Sequence, residues 1–309
     1  MMHSGETTGS MTGRGRLWLL AVVSAVLALA LIPALPVPAA ATETRRETVL
    51  FIGNSFTFGA FSPVMTWRAA SVHDLNGEGI GGVPALFQRF ADEAGLAYEV
   101  SLETSPGKDL QWHIDNRTPR IDRAWDHVLL QSYSTLDARA PGDPAGLVRS
   151  ATALAATLHA RNPRVDIVLV STWSRADLTY QPGGHWFGRP ISAMAADIRA
   201  GYDLALRASP HIRAVAPVGQ AWTLAIESGL ALANPYAPAP EGQINLWAVD
   251  NYHASTAGYY LEALVVFGKV SGRDPLALGP DEAAARELGL SPAQAVGLQR
   301  AAHDALAAR

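Results

Sequence analysis

The chain has 309 residues, 49% of them hydrophobic and 17% charged, with a formal net charge of −4. Those proportions suit a globular protein with a substantial core; they exclude a basic nucleic-acid binder and a long charged tail. Cysteine is absent, which excludes disulfides, a thiol nucleophile and cysteine-ligated metal, and leaves the core to hold the protein together.

The first segment differs from the rest. Arg14 and Arg16 precede an apolar run over residues 17–32, followed by Pro33, Pro36, Pro38 and the triplet Ala39, Ala40 and Ala41. A basic start, an apolar middle and an A-x-A end predict a signal peptide over residues 1–41, cleaved after Ala41. The alternative is a retained anchor, but the run falls short of the ~20 residues a spanning helix needs. The expected product is an exported protein, extracellular or periplasmic, with residues 42–309 as one domain and no membrane contact after cleavage.

Residues 49–52 (VLFI) are short, apolar and bounded by glycine, as a buried strand is. Residues 83–94 have helical spacing and stop at Gly95. Strand patterns follow at 98–102, 126–131, 165–170 and, more weakly, 211–216, with helical patterns at 145–160 and 194–208. Residues 256–270 read as a helix capped by Ser255 or Thr256. Beyond Pro280 two alanine-rich helices are separated near residues 290–291. This alternation predicts an α/β protein whose parallel sheet of about five strands is covered on both faces. Ligands bind such sheets beyond the carboxyl ends of the strands. The long aromatic loop over residues 174–190 is read either as a wall of that cleft or as a surface loop packed by its own rings.

Ser55 sits at the tip of the first strand, in GNSFT. It is either a helix cap or a displayed nucleophile, and a nucleophilic serine needs a histidine oriented by a carboxylate. Of nine histidines, His253 carries its own acid in Asp250-Asn251-Tyr252-His253. At that spacing on one turn, the carboxylate reaches one imidazole nitrogen and leaves the other for Ser55.

With these residues the chain resembles the SGNH (GDSL-like) hydrolase superfamily. Ser55 in GNSFT matches the nucleophile block, with Asn54 in place of the more common aspartate. Gly107 in SPGKDLQWH matches the glycine block. WDHVLLQS matches the third, with Gln131 where an asparagine usually stands, and DNYHAS matches the Asp-x-x-His block. The four blocks lie in family order, and the GNS start with Gln131 is similar to a bacterial subgroup whose pattern includes Trp173 of STWS and residues 217–222 (PVGQAW). The resemblance implies a flavodoxin-like three-layer α/β/α sandwich and ester hydrolysis without a cofactor or metal. It makes Ser55 the nucleophile, His253 the base and Asp250 its orienter, with the Ser55 and Gly107 amides and the Gln131 side chain as oxyanion donors. Trp173 and Trp186 are the candidate substrate-binding residues.

Competing motifs fail on context. Residues 77–82 (GEGIGG) fit a dinucleotide fingerprint by letter, but no strand precedes them, so they read as a flexible loop. Thr57 stands where a G-x-S-x-G elbow needs its second glycine. His113 and Asp115 do not make a metal site, and His113 and His127 read as local hydrogen-bonding or surface residues. The expected function is an exported serine esterase acting on a small-molecule or glycan ester, such as an acetylated carbohydrate. A lipase or thioesterase, or a catalytically silent glycan-binding protein on the same fold, is the alternative.

Overall fold

The computed structural model describes residues 45–308, and the predicted signal peptide lies outside them. Six strands form one sheet: β1 (Glu47–Gly53), β2 (His73–Asp74), β3 (Tyr98–Thr104), β4 (His127–Leu130), β5 (Asp166–Ser171) and β6 (Ile212–Pro217). Their spatial order is β2-β3-β1-β4-β5-β6, and every pairing is parallel. Five strands coincide with the predicted apolar runs. The sixth, β2, pairs only through His73 and Asp74 with Ser101 and Leu102 at one edge, too short to leave a pattern in sequence.

In chain order the helices are α1 (Ser55–Phe58), α2 (Gly82–Glu93), α3 (Leu110–Ile121), α4 (Ala145–Arg161), α5 (Ala176–Tyr180), α6 (Ser192–Ala208), α7 (Val218–Glu227), α8 (Thr256–Ser271), α9 (Ala283–Glu287) and α10 (Pro292–Ala307). Side chains alternate across a strand. Val49 and Phe51 of β1 therefore enter one apolar cluster with α2, α7, α8 and α10, while Leu50 and Ile52 enter another with α3, α4 and α6. Both faces of the strand are buried, which is why it reads as an unbroken apolar run. The result is three layers, helices over sheet over helices.

The helix carrying the fourth block is held firmly. Ser255 caps α8, its hydroxyl accepting from the Gly258 N–H at 3.3 Å, and Gly272 in the left-handed region ends it. Most of its side chains are buried, as a helix running beneath the sheet and under α2 and α10 requires. Ser291 and Gln294 form a reciprocal capping box at the start of α10.

After β1 the chain builds β2 and β3 on one side, then crosses to β4, β5 and β6 on the other. The crevice at that change of direction, beyond the carboxyl ends of β1 and β4, is where such sheets bind ligands. Ser55 begins α1 there, directly after β1.

Candidate active site

The turn that presents Ser55 is tied to the neighbouring strand ends by Asn54. Its side-chain oxygen caps α1 by accepting from the Phe56 N–H at 3.2 Å. Its amide donates to the Lys108 carbonyl at 2.9 Å and the Ser132 carbonyl at 3.2 Å. An aspartate here would face those two carbonyl oxygens with no proton to offer, which explains why asparagine stands at this position. Gly53 allows the close approach: a Cβ there would lie 2.8 Å from the Gln131 Oε1 and collide with Thr57.

Two backbone amides are the candidate oxyanion donors. Ser55 is the first residue of α1, so its N–H has no intrahelical acceptor. The N–H of Gly107 lies on the loop after β3, which Asn54 clamps at Lys108. Among the described residues neither amide has a hydrogen-bond partner. Gly107 has a φ of 65° with open space where a Cβ would be, so backbone conformation rather than crowding calls for glycine.

Gln131 corrects an expectation. It is buried at the end of β4, and its Oε1 accepts from the Asn54 N–H and the Thr57 hydroxyl, each at 3.0 Å. Its amide nitrogen donates to the Ser132 carbonyl. The extra methylene carries the amide under the turn that bears Ser55, where it is engaged by Asn54, Thr57 and Ser132 rather than free to donate to a ligand.

Asp250 and His253 meet as their spacing predicts. The carboxylate Oδ2 lies 2.6 Å from the His253 Nδ1, and Oδ1 accepts from the N–H groups of Tyr252 at 3.1 Å and His253 at 2.9 Å. Burial would push the Asp250 carboxyl up; these hydrogen bonds outweigh it and hold the group below the usual carboxylate range. With Nδ1 occupied, the other ring nitrogen Nε2 is buried and, among the described residues, has no hydrogen-bond partner. The imidazole packs 5.5 Å from the ring of Phe56, the residue next to Ser55.

No protein-family model matches the sequence, nor does any curated protein. Among solved structures, the chain is similar to a DUF4886 family protein from Bacteroides uniformis at 17% identity and a TM-score of 0.56, over 85% of this chain and 95% of that one. A protein from Parabacteroides merdae described as a GDSL-like lipase aligns at 15% identity and a TM-score of 0.49, over 74% of this chain and 96% of that one. The chain shares the fold of that DUF4886 family protein. At these identities the likeness concerns architecture alone.

The fold places the two candidate substrate-binding tryptophans in the core. Trp173 and Trp186 are both fully buried, at 0% exposure. Trp173 is stacked between Phe56 and Trp222 and donates to the Tyr252 carbonyl at 3.2 Å. Trp186 lies in the cluster on the opposite face of the sheet and donates to Asp197 at 2.8 Å. Large rings with an N–H buried against a partner are packing elements. The loop over residues 174–190 contains α5 and braces the histidine turn: Asp177 donates its N–H to the Asn251 carbonyl at 3.2 Å, and the Arg175 guanidinium lies 3.6 Å from the Tyr252 ring centroid. Phe61 escapes the sequence reading entirely. It lies outside all four blocks, yet its ring stacks on His253 with centroids 4.9 Å apart.

His113 and His127 form local pairs away from this crevice. His113 is buried against Glu103, which also accepts from Arg117 at 3.1 Å. His127 bridges Asp166 at 3.1 Å and Glu47 at 3.2 Å at the opposite, amino-terminal end of the sheet.

Proposed function

We propose that the protein is a serine-dependent ester hydrolase in which Ser55 is the nucleophile, His253 its base and Asp250 the residue that orients the imidazole. One observation carries this reading: the His253 ring is fixed by Asp250 through Nδ1 while Nε2 is buried without a partner, at the strand ends where Ser55 opens α1. Leaving a buried polar nitrogen unsatisfied costs about 1–3 kcal/mol, and a hydroxyl brought to it would remove that cost.

In the reaction, the Ser55 hydroxyl gives its proton to His253 Nε2 as its oxygen adds to the ester carbonyl carbon. The carbonyl oxygen becomes an oxyanion that accepts from the N–H groups of Ser55 and Gly107, each such donor being worth roughly 3 kcal/mol. Asp250 stabilises the imidazolium. His253 then returns the proton to the departing alcohol oxygen, leaving an acyl-enzyme. A water deprotonated by His253 releases the acid and restores Ser55. The chemistry requires no cofactor. The reading includes export through the leader over residues 1–41, and a short acyl group such as acetyl on a carbohydrate as the substrate class.

The test is hydrolysis of p-nitrophenyl acetate and of an acetylated-glycan panel by residues 42–309 beside the Ser55→Ala variant. Turnover that falls on the order of a thousandfold in the variant supports the reading. Two equally inactive proteins on every ester would overturn it in favour of a silent glycan-binding protein.

A further inference from the structure

Phe61 is 65% exposed and adopts a φ of 62°, a left-handed conformation that bulky residues avoid. Asn251, beside Asp250, does the same at 53°. Strain of this kind costs on the order of 1–3 kcal/mol per residue and collects at functional sites. Both residues border one open groove of about 290 Å3 next to the histidine, whose other sides include Trp247, Val249 and Thr256. Part of the Phe61 ring covers the His253 imidazole, and its exposed remainder walls the groove. Val249, which also lines it, is 92% exposed. Both large apolar side chains thus stand in solvent on the lining of one groove.

The polar groups of the groove define that ligand. Asn245 spends its side-chain oxygen on the Trp247 N–H at 3.0 Å, so its NH2 remains available. Among the described residues the Asn251 side chain has no hydrogen-bond partner. The Thr256 hydroxyl meets that of Ser62 at 3.3 Å, and Ser62 in turn accepts from the Val64 N–H at 3.3 Å, which leaves Thr256 the freer of the two. An acyl chain would cover these amides and hydroxyls and leave them unsatisfied. A pyranose has an apolar C–H face for the aromatic ring and hydroxyls around its rim for the amides.

We propose that this groove receives the alcohol part of the ester and that this alcohol is a sugar ring laid against Phe61, its hydroxyls meeting Asn245, Asn251 and Thr256. The inference rests on Ser55 and His253 being the hydrolytic pair. Its geometry is consistent with the chemistry, because the departing alcohol oxygen must reach the imidazole on which Phe61 is stacked. Phe61 thus becomes a specificity-determining residue that acts on the sugar.

Two esters separate the roles. Ethyl acetate offers the acyl group with no ring for the groove, and acetylated xylotriose offers both. The readout is the ratio of kcat/KM for the sugar ester to that for ethyl acetate, measured in the wild type, in Phe61→Ala and in Val249→Arg, which fills the groove from an exposed position. The proposal expects this ratio to fall about tenfold or more in both variants, chiefly through KM. A ratio unchanged in both, even with both rates reduced, would limit Phe61 to supporting His253 and overturn the sugar groove. A wild type inactive on both esters removes the esterase reading and this inference with it, whereas activity on ethyl acetate with an unchanged ratio removes only the inference.

Discussion

Replacing Gln131 with methionine keeps the side chain's length and removes its amide, and the consequences can be worked from three contacts. The buried Asn54 N–H loses its only acceptor, the Gln131 Oε1 at 3.0 Å. The Thr57 hydroxyl loses the same acceptor at 3.0 Å but can rotate toward another. The Ser132 carbonyl keeps the Asn54 amide at 3.2 Å and is not orphaned. One stranded buried N–H costs about 1–3 kcal/mol, and the lost hydroxyl bond adds about 1 kcal/mol, for a total of roughly 2–4 kcal/mol. In a domain of this size each kcal/mol moves the melting temperature by about 2–4 °C, so Tm should fall by roughly 5–15 °C. Calorimetric melting beside kcat on p-nitrophenyl acetate checks this. An oxyanion donor would behave in the opposite way, losing on the order of a hundredfold in kcat with no change in Tm. A variant melting within about 1 °C of the wild type while losing that much kcat would refute the framework role given to Gln131.

Asp250→Asn keeps the shape of the histidine turn but exchanges an acceptor for a donor at the His253 Nδ1, so kcat should drop on the order of 10³–10⁴ with unchanged circular dichroism; activity near the wild type would remove Asp250 from the mechanism. Trp173→Phe loses the bond to the Tyr252 carbonyl and part of a stacked ring, and should cost roughly 2 kcal/mol of stability by denaturant unfolding. A marked rise in KM with unchanged stability would restore the tryptophan to the substrate site. For His127, burial opposes the charge, but hydrogen bonds to Asp166 and Glu47 outweigh it and raise the imidazole above its ordinary value. A raised folded value means stability fully present below the unfolded value of ~6.5 and lost as pH climbs through the folded one. The Tm gap between the wild type and His127→Gln should therefore narrow as pH rises above neutrality; a gap constant from about pH 5 to 9 contradicts it.

The strands and the Asp-x-x-His pair were legible because their signals are local. A buried strand announces itself as an apolar run, as residues 49–52 do, and an aspartate three residues before a histidine can reach it on one turn. What the sequence hid depends on long-range placement. Gln131 is visible at the end of β4, but the aim of its amide follows from how close Asn54 comes, across 77 positions of chain. Trp173 and Trp186 sit in polar surroundings that read as cleft, and only the packing of Trp222 and α6 around them makes them core. Phe61 had no signal at all: its left-handed backbone is imposed by the turn after Gly59, and no residue type announces it.

The same long-range packing sets how Ser55 and His253 stand to one another. Ser55 and His253 lie on segments far apart in sequence, and no direct hydrogen bond joins their side chains. A series of rings joins those segments instead: Phe56 on Trp173 at 4.3 Å, Trp173 on Trp222 at 4.7 Å, and Trp222 against Trp247 at 5.3 Å. Its far end is fixed where Trp247 donates to the Ser174 carbonyl at 2.9 Å, and Trp173 bonds the backbone of Tyr252, immediately before the histidine. Tyr259 of α8 closes the circuit, its hydroxyl reaching the carbonyls of Ser55 at 3.2 Å and Ala60 at 3.0 Å. Each aromatic pair adds about 0.5–1.5 kcal/mol beyond its buried area, so displacing the nucleophile turn from the histidine turn would break several such contacts together. Rigid side chains thus hold Ser55 and His253 in register through their neighbours, and in the proposed reaction this packing would keep the hydroxyl and the imidazole poised for an ester carbonyl.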